Sequence, residues 1–277
     1  MQIHVDGNYQ PLDQPALKAR DQGFLFGEAV YEGVKIQARR PLFLEAHLER
    51  LERSATALEL DVPWSLPDLR TILTRLLADF DGDTGVARLY TTRGASKGTP
   101  CALVWIDPLP DYSYPDTPPW RLACHPEPIV PYLPGVKHTN RLSHARARRL
   151  AHRSGADDAL LVHAEGWVLE GPQSNLFFFE ADTLHTPETG CGVLAGITRD
   201  VVLRLAPSCG FRTVEGRYPA EIVREADEWF LTFTSAGIKP VTAIDDAKLP
   251  APGARTARLA TAYEQHVAET LASAEPL

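Results

Sequence analysis

The stretch Pro134-Gly135-Val136-Lys137-His138-Thr139-Asn140 places a lysine at the end of a proline- and glycine-containing turn, just ahead of a segment with helical periodicity. A lysine in that position need not face solvent. Loss of hydration favours the neutral amine, the form that condenses with an aldehyde. In isolation, a turn lysine is far more often a solvated surface group. The reading of Lys137 therefore depends on its neighbours along the chain.

Thirty-three residues on comes Val168-Leu169-Glu170-Gly171-Pro172-Gln173-Ser174-Asn175-Leu176-Phe177, a carboxylate at a turn that enters an apolar strand. A partly buried carboxylate facing a pyridine nitrogen raises that nitrogen's proton affinity, and the protonated ring withdraws electrons from a carbanion. Taken alone, Glu170 is an ordinary turn residue. Leu194-Ala195-Gly196-Ile197-Thr198-Arg199-Asp200 then runs from a glycine turn straight into a helix. Unpaired first-turn amides and the positive helix end suit a phosphate there, with the Thr198 hydroxyl as a further donor. A plain threonine near a helix start is the competing reading. Thr234-Ser235 after an apolar strand, and Arg50 on an amphipathic helix, are two more candidates for a phosphate cup, each weak alone.

Bulk properties narrow the choice. The 277 residues suit one large domain or two smaller ones with a cleft, and 44% apolar with 23% charged residues is an ordinary globular balance. The net charge of -8 opposes attraction to nucleic acid. Cys101, Cys124, Cys191 and Cys209 lack metal-ligand spacing and, with no export-like amino terminus, read as reduced cytoplasmic thiols; no metal site is expected. No apolar run approaches the roughly 18 residues that a membrane span requires.

Pattern and punctuation predict a strand at Gln2 to Val5, helices over 46–58 and 65–80, and a strand from Val86 to Thr92. Four prolines between Pro108 and Pro118 predict a connector, giving domains 1–113 and 123–277 around a linker at 114–122. Beyond it, helices are expected over 141–154 and 198–206, and strands at 159–162, 176–179 and 229–232. The fold class is mixed α and β in two domains.

Laid out in order, Gly27-Glu28-Ala29-Val30-Tyr31-Glu32-Gly33, His47-Leu48-Glu49-Arg50-Leu51, Lys137-His138-Thr139-Asn140, Glu170 to Asn175, Gly196-Ile197-Thr198-Arg199 and Thr234-Ser235 resemble the fold-type IV pyridoxal-phosphate enzymes. That class includes D-amino acid and branched-chain aminotransferases and aminodeoxychorismate lyase. The resemblance covers nearly the whole chain. It implies a small amino-terminal domain, a larger barrel-like carboxy-terminal domain, pyridoxal 5'-phosphate between them, and a homodimer. It further implies Lys137 as the Schiff-base lysine and Glu170 as the pyridinium partner. Arg50, Ile197, Thr198, Thr234 and Ser235 become phosphate holders, and Ser174, Asn175, Gly196 and Arg141 further cofactor contacts.

The branch is read from the departures. In the lyases a threonine typically stands where this chain has Gly33, whereas Lys137 to Arg141 resembles the lyase segment. Losing a reacting hydroxyl removes chemistry, while Arg141 only adjusts the cofactor's phenolic oxygen, so transamination is favoured. Thr92 to Ser96 and Tyr31 are most similar to the D-amino acid aminotransferases, yet the arginine and histidine that clamp the substrate carboxylate there are replaced by Gly98 and Pro100. A desolvated carboxylate needs a cation or several hydrogen-bond donors. Arg88, on the strand face of Tyr90 and Thr92, is the expected replacement, with Lys97 and Arg93 behind it. The expected function is transamination between an amino acid, D-type favoured, and a 2-keto acid. The alternatives are aminodeoxychorismate lyase, and an (R)-amine or branched-chain transaminase.

Overall fold

The computed structural model describes residues 1–96, 99–109 and 117–273, which divide into two compact units. The first comprises Met1–Asp111, Val136–Asn140 and Glu269–Leu277; the second comprises Tyr112–Gly135 and Arg141–Ala268. The expected linker at 114–122 lies in part outside the described residues, and its last positions begin a strand at Trp120. Two short segments that sequence alone placed in the second domain, around Lys137 and at the carboxy terminus, belong by contact with the first unit.

The first unit is a six-stranded antiparallel sheet with its two longer helices packed on one face. Its elements are β1 (Gln2–Val5), β2 (Asn8–Pro11), α1 (Gln22–Phe26), β3 (Ala29–Gln37), β4 (Arg40–Pro41), α2 (Leu44–Ala57), α3 (Leu66–Ala78), β5 (Gly85–Ser96) and β6 (Thr99–Pro108). The strand order is β2-β1-β6-β5-β3-β4. Side chains alternate across a strand, so Val30, Val34 and Ile36 of β3 pack into one cluster with Leu48 and Leu51 of α2 and Leu69 and Leu73 of α3. Burying each such leucine contributes about 1.5–3 kcal/mol. The other face carries Tyr31 and Gly33, with Arg88 and Tyr90 opposite them in register. Helix α3 begins at a capping box in which Ser65 and Asp68 satisfy each other's backbone amides.

The second unit contains β7 (Trp120–Cys124), α4 (Leu142–Arg153), β8 (Asp158–Leu160), β9 (Asn175–Glu180), β10 (Thr183–Pro187), α5 (Ile197–Leu205), β11 (Arg212–Gly216), α6 (Ala220–Arg224), β12 (Glu228–Phe233), β13 (Gly237–Ile244), β14 (Ala247–Lys248) and, up to Ala268, most of α7 (Ala254–Ser273). Its sheet runs β11-β10-β9-β12-β13-β7-β8, with β14 on β13, and mixes parallel and antiparallel pairs. Strand β9 reads as a continuous apolar run because both faces are covered. Phe178 joins the cluster of Trp229 and Leu231, and Phe177 stacks on Phe230 at 5.0 Å. Helix α7, unforeseen from sequence, starts where the Glu228 carboxylate accepts the backbone amides of Arg255 and Thr256. Among the described residues no helix is long and apolar enough to cross a membrane, and no cluster of metal-binding side chains occurs.

Candidate active site

Lys137 is held by β3. The Tyr31 amide donates to the Lys137 carbonyl at 3.1 Å, and the Thr139 amide donates to the Ala29 carbonyl at 3.0 Å, so Val136–Asn140 lies antiparallel along the start of that strand. The Gly27 turn fixes the far end. Thr139 and Asn140 side chains both donate to the Gly27 carbonyl, and a Cβ at Gly27 would meet Asn140 Oδ1 at 2.0 Å. Gly27 also adopts the left-handed conformation at the end of α1, with φ 72°, so two separate constraints require glycine. The Lys137 amide donates to Ser54 Oγ on α2, and its Nζ lies 4.7 Å from the centroid of the Tyr31 ring.

Beneath Tyr31, on the helical side of the sheet, three charged or titratable groups are buried together. Arg50 donates from Nε and a terminal nitrogen to the two oxygens of Glu32, at 2.7 and 2.8 Å, and His47 Nδ1 lies 2.8 Å from Glu32 Oε2. Burial opposes ionisation of Glu32, but Arg50 and His47 outweigh it and hold the carboxyl well below the usual range. His47 is pushed down by burial, against the pull of Glu32 and aided by the charges of Arg50 and Lys137, so it is neutral at physiological pH. Arg50, a weak phosphate candidate by its local sequence, is a buried guanidinium directed at Glu32.

On the opposite face, Tyr31 stacks on Tyr90 at 5.2 Å, and Tyr90 stacks on Trp105 at 5.1 Å. Arg88 sits beside this ladder. Its Nε donates to Asp107 Oδ2 at 3.0 Å, and its terminal nitrogen NH1 would be 3.4 Å from a Cβ placed on Gly33. Arg93 is committed elsewhere, to Glu28 and the carbonyls of Leu58 and Glu59. Lys97 lies outside the described residues.

In the second unit Glu170 is buried, and its Oε2 accepts from Asn175 Nδ2 at 2.9 Å and from the Leu194 amide at 3.0 Å. The same Asn175 nitrogen donates to the Leu194 carbonyl, so one side chain ties the Glu170 turn to the approach of α5. Gly196 is the helix N-cap and no side chain caps it, which leaves the first-turn amides open to an anion. A Cβ on Gly196 would meet Asn175 Oδ1 at 2.0 Å. The Thr198 hydroxyl hydrogen-bonds to the Tyr263 phenol of α7, a partner sequence did not reveal, and burial pushes that phenol up. Ser174 Oγ is buried without a hydrogen-bond partner among the described residues. Arg141 donates to the Pro172 carbonyl, bracing the Glu170 turn from outside. Thr234 and Ser235 form the half-buried turn between β12 and β13.

Each unit by itself carries features that suit part of a phosphorylated pyridine aldehyde: the first an amine beside an aromatic ring, the second a buried carboxylate fixed by two donors and an uncapped helix start. The architecture is that of the fold-type IV enzymes. A fold IV-transaminase from Curtobacterium pusillum superposes with TM-score 0.83 at 30% identity, covering 92% of each chain. The family model "Amino-transferase class IV" matches residues 29–244, and the chain belongs to that family, whose members use pyridoxal phosphate. Relatives include a putative branched-chain-amino-acid aminotransferase of Methanocaldococcus jannaschii, 30% identical over 88% of each chain. A D-alanine aminotransferase of Listeria monocytogenes is 28% identical, covering 97% of this chain and 96% of its own. The aminodeoxychorismate lyase of Bacillus subtilis is 27% identical over 96% of this chain and 94% of its own.

Proposed function

We propose that this chain is a pyridoxal-phosphate-dependent transaminase whose amino donor carries a carboxylate, with D-amino acids the favoured class. Pyridoxal phosphate supplies the aldehyde that takes up the amino group and the ring that stabilises the developing carbanion. Lys137 would hold the aldehyde and, once displaced as a free amine, would serve as the base and acid that carries the substrate's Cα proton. Glu170 keeps the ring nitrogen protonated, and Ser174 and Asn175 support that turn. The amides at Gly196, Ile197 and Thr198, with Arg50, Thr234 and Ser235, take the phosphate. Tyr31 and Gly33 frame the substrate, and Arg88 receives its carboxylate.

The observation that carries this reading is Arg88 beside Gly33. Only one of its guanidinium N–H groups is used on Asp107, and among the described residues both terminal nitrogens lack a hydrogen-bond partner. A glycine at position 33 supplies no hydroxyl for elimination and leaves room above the guanidinium. The similarity of Tyr31 and of Thr92 to Ser96 to the D-amino acid branch supports the donor class. Phe24, Leu25 and Phe26 are exposed together on α1, which supports a homodimer, and four free thiols suit a cytoplasmic setting.

An absorbance scan of the holoenzyme tests the proposal, titrated with D-alanine, L-leucine, (R)-1-phenylethylamine and aminodeoxychorismate, with Lys137→Ala as control. A cofactor band lost on adding D-alanine and restored by a keto acid is the expected result. Pyruvate release from aminodeoxychorismate without the half-reaction would assign the lyase instead, and a response only to L-leucine or the amine would move the donor class.

A further inference from the structure

We propose that Trp105 and Asp107 are positioning residues that hold the Arg88 guanidinium ready for a substrate carboxylate. The inference rests on the role given to Arg88 above and adds what makes that role possible. Arg88 on β5 pairs directly with Trp105 on β6, and Asp107 lies two residues further along β6, so all three project from the same face of the sheet. They form a closed set. The Trp105 indole N–H donates to Asp107 Oδ1 at 2.9 Å, and the other oxygen, Oδ2, takes Arg88 Nε at 3.0 Å. Trp105 is itself fixed by its stack on Tyr90, which stacks on Tyr31, whose ring carries the Lys137 amine.

Arginine side chains lose considerable rotamer freedom when they are fixed, and a half-exposed ion pair alone is too weak to fix one. Arg88 and Asp107 are 37% and 38% exposed, so their attraction is screened. The indole bond supplies what the ion pair lacks, because it sets the plane of the carboxylate and thereby the direction of Nε. With Nε committed, the guanidinium presents its two terminal nitrogens, the edge that takes a carboxylate bidentately. Asp107 accepts at its inner edge only and does not compete for that outer edge.

The test is the amino-acid half-reaction measured for the holoenzyme and for Trp105→Phe, Arg88→Gln and the double variant. Trp105→Phe keeps an aromatic ring beside Tyr90 and deletes the N–H together with the second ring of the indole. The expected result is a KM raised about three- to ten-fold with kcat nearly kept, the amount that freeing one long side chain predicts. The double variant should be no worse than Arg88→Gln alone, because Trp105 acts through Arg88. Asp107→Asn, which has one acceptor oxygen for two donors, should raise KM in the same direction. An unchanged KM in Trp105→Phe, fully additive losses in the double variant, or a fall in KM for Asp107→Asn would each overturn the proposal. An unchanged KM in Arg88→Gln would instead overturn the role of Arg88 itself, so the two failures are told apart.

Discussion

Arg50 of α2 grips both carboxylate oxygens of Glu32 on β3, and the two side chains are at most 6% exposed. Removing one member of a buried pair strands the other, at a cost of about 3–5 kcal/mol. Glu32→Gln should therefore destabilise the first unit by that order in a urea titration. It should also loosen cofactor binding, measured by dialysis against free pyridoxal phosphate. A variant as stable as the parent would show the pair to be dispensable.

Gly33→Thr probes the substrate face. A Cβ at position 33 lies 3.3 Å from Val86 Cγ1 and 3.4 Å from the Arg88 terminal nitrogen, so a branched side chain crowds both. The amino-acid half-reaction should fall at least about ten-fold in kcat/KM, the scale of one misplaced contact in a reacting geometry. Stopped-flow loss of the cofactor band reads it directly. A rate equal to the parent's would place the substrate elsewhere.

Gly196→Ala should release cofactor without unfolding the chain. The new Cβ would stand 2.0 Å from Asn175 Oδ1, and the asparagine cannot retreat without breaking its bonds to Glu170 and Leu194. Overpacking of this kind costs about 1–3 kcal/mol. Equilibrium dialysis should show pyridoxal phosphate held about ten-fold or more less tightly, since roughly 1.4 kcal/mol is a factor of ten.

His47 predicts the pH dependence of stability. Burial holds its proton affinity below the ordinary value near 6.5, so between its lowered native value and 6.5 the unfolded chain binds the extra proton. Stability therefore rises with pH through that window and is lost as pH falls below about 6.5, by at most about 1.4 kcal/mol per pH unit from this residue. His4, His125 and His185 are lowered by burial too and act with the same sign. Urea midpoints at pH 5, 6, 7 and 8 should fall towards acid, and His47→Gln should flatten the slope.

The thiols should be inert. Burial and nearby Asp6 push Cys101 up to about 12, and burial with a hydrogen bond to Asp245 does the same for Cys124. At pH 8 the reactive thiolate is then on the order of one in ten thousand. Cys191 and Cys209 are buried. Ellman's reagent should label the native chain negligibly within minutes and all four cysteines after denaturation.

Much of this was legible from local sequence. The helix expected over 65–80 is α3 at Leu66–Ala78, and the one expected over 198–206 is α5 at Ile197–Leu205, because both open on local start signals and keep helical spacing. Strand β6 and helix α7 are not legible in the local pattern. Strand β6 carries proline near each end, and the start of α7 is set by Glu228, which is remote in sequence.

The sequence by itself determined the family and the cofactor, since those reside in short motifs whose residues are neighbours along the chain. Tertiary structure decided what the motif residues touch. Lys137 is paired with a strand more than one hundred residues earlier, and Arg50 turns inward to Glu32. Arg88 meets Asp107 and Trp105 only through the register of β5 against β6. The physical reason is that register and burial are collective: they follow from hydrogen-bond ladders and a shared apolar core, and no local pattern specifies which distant side chain will stand opposite.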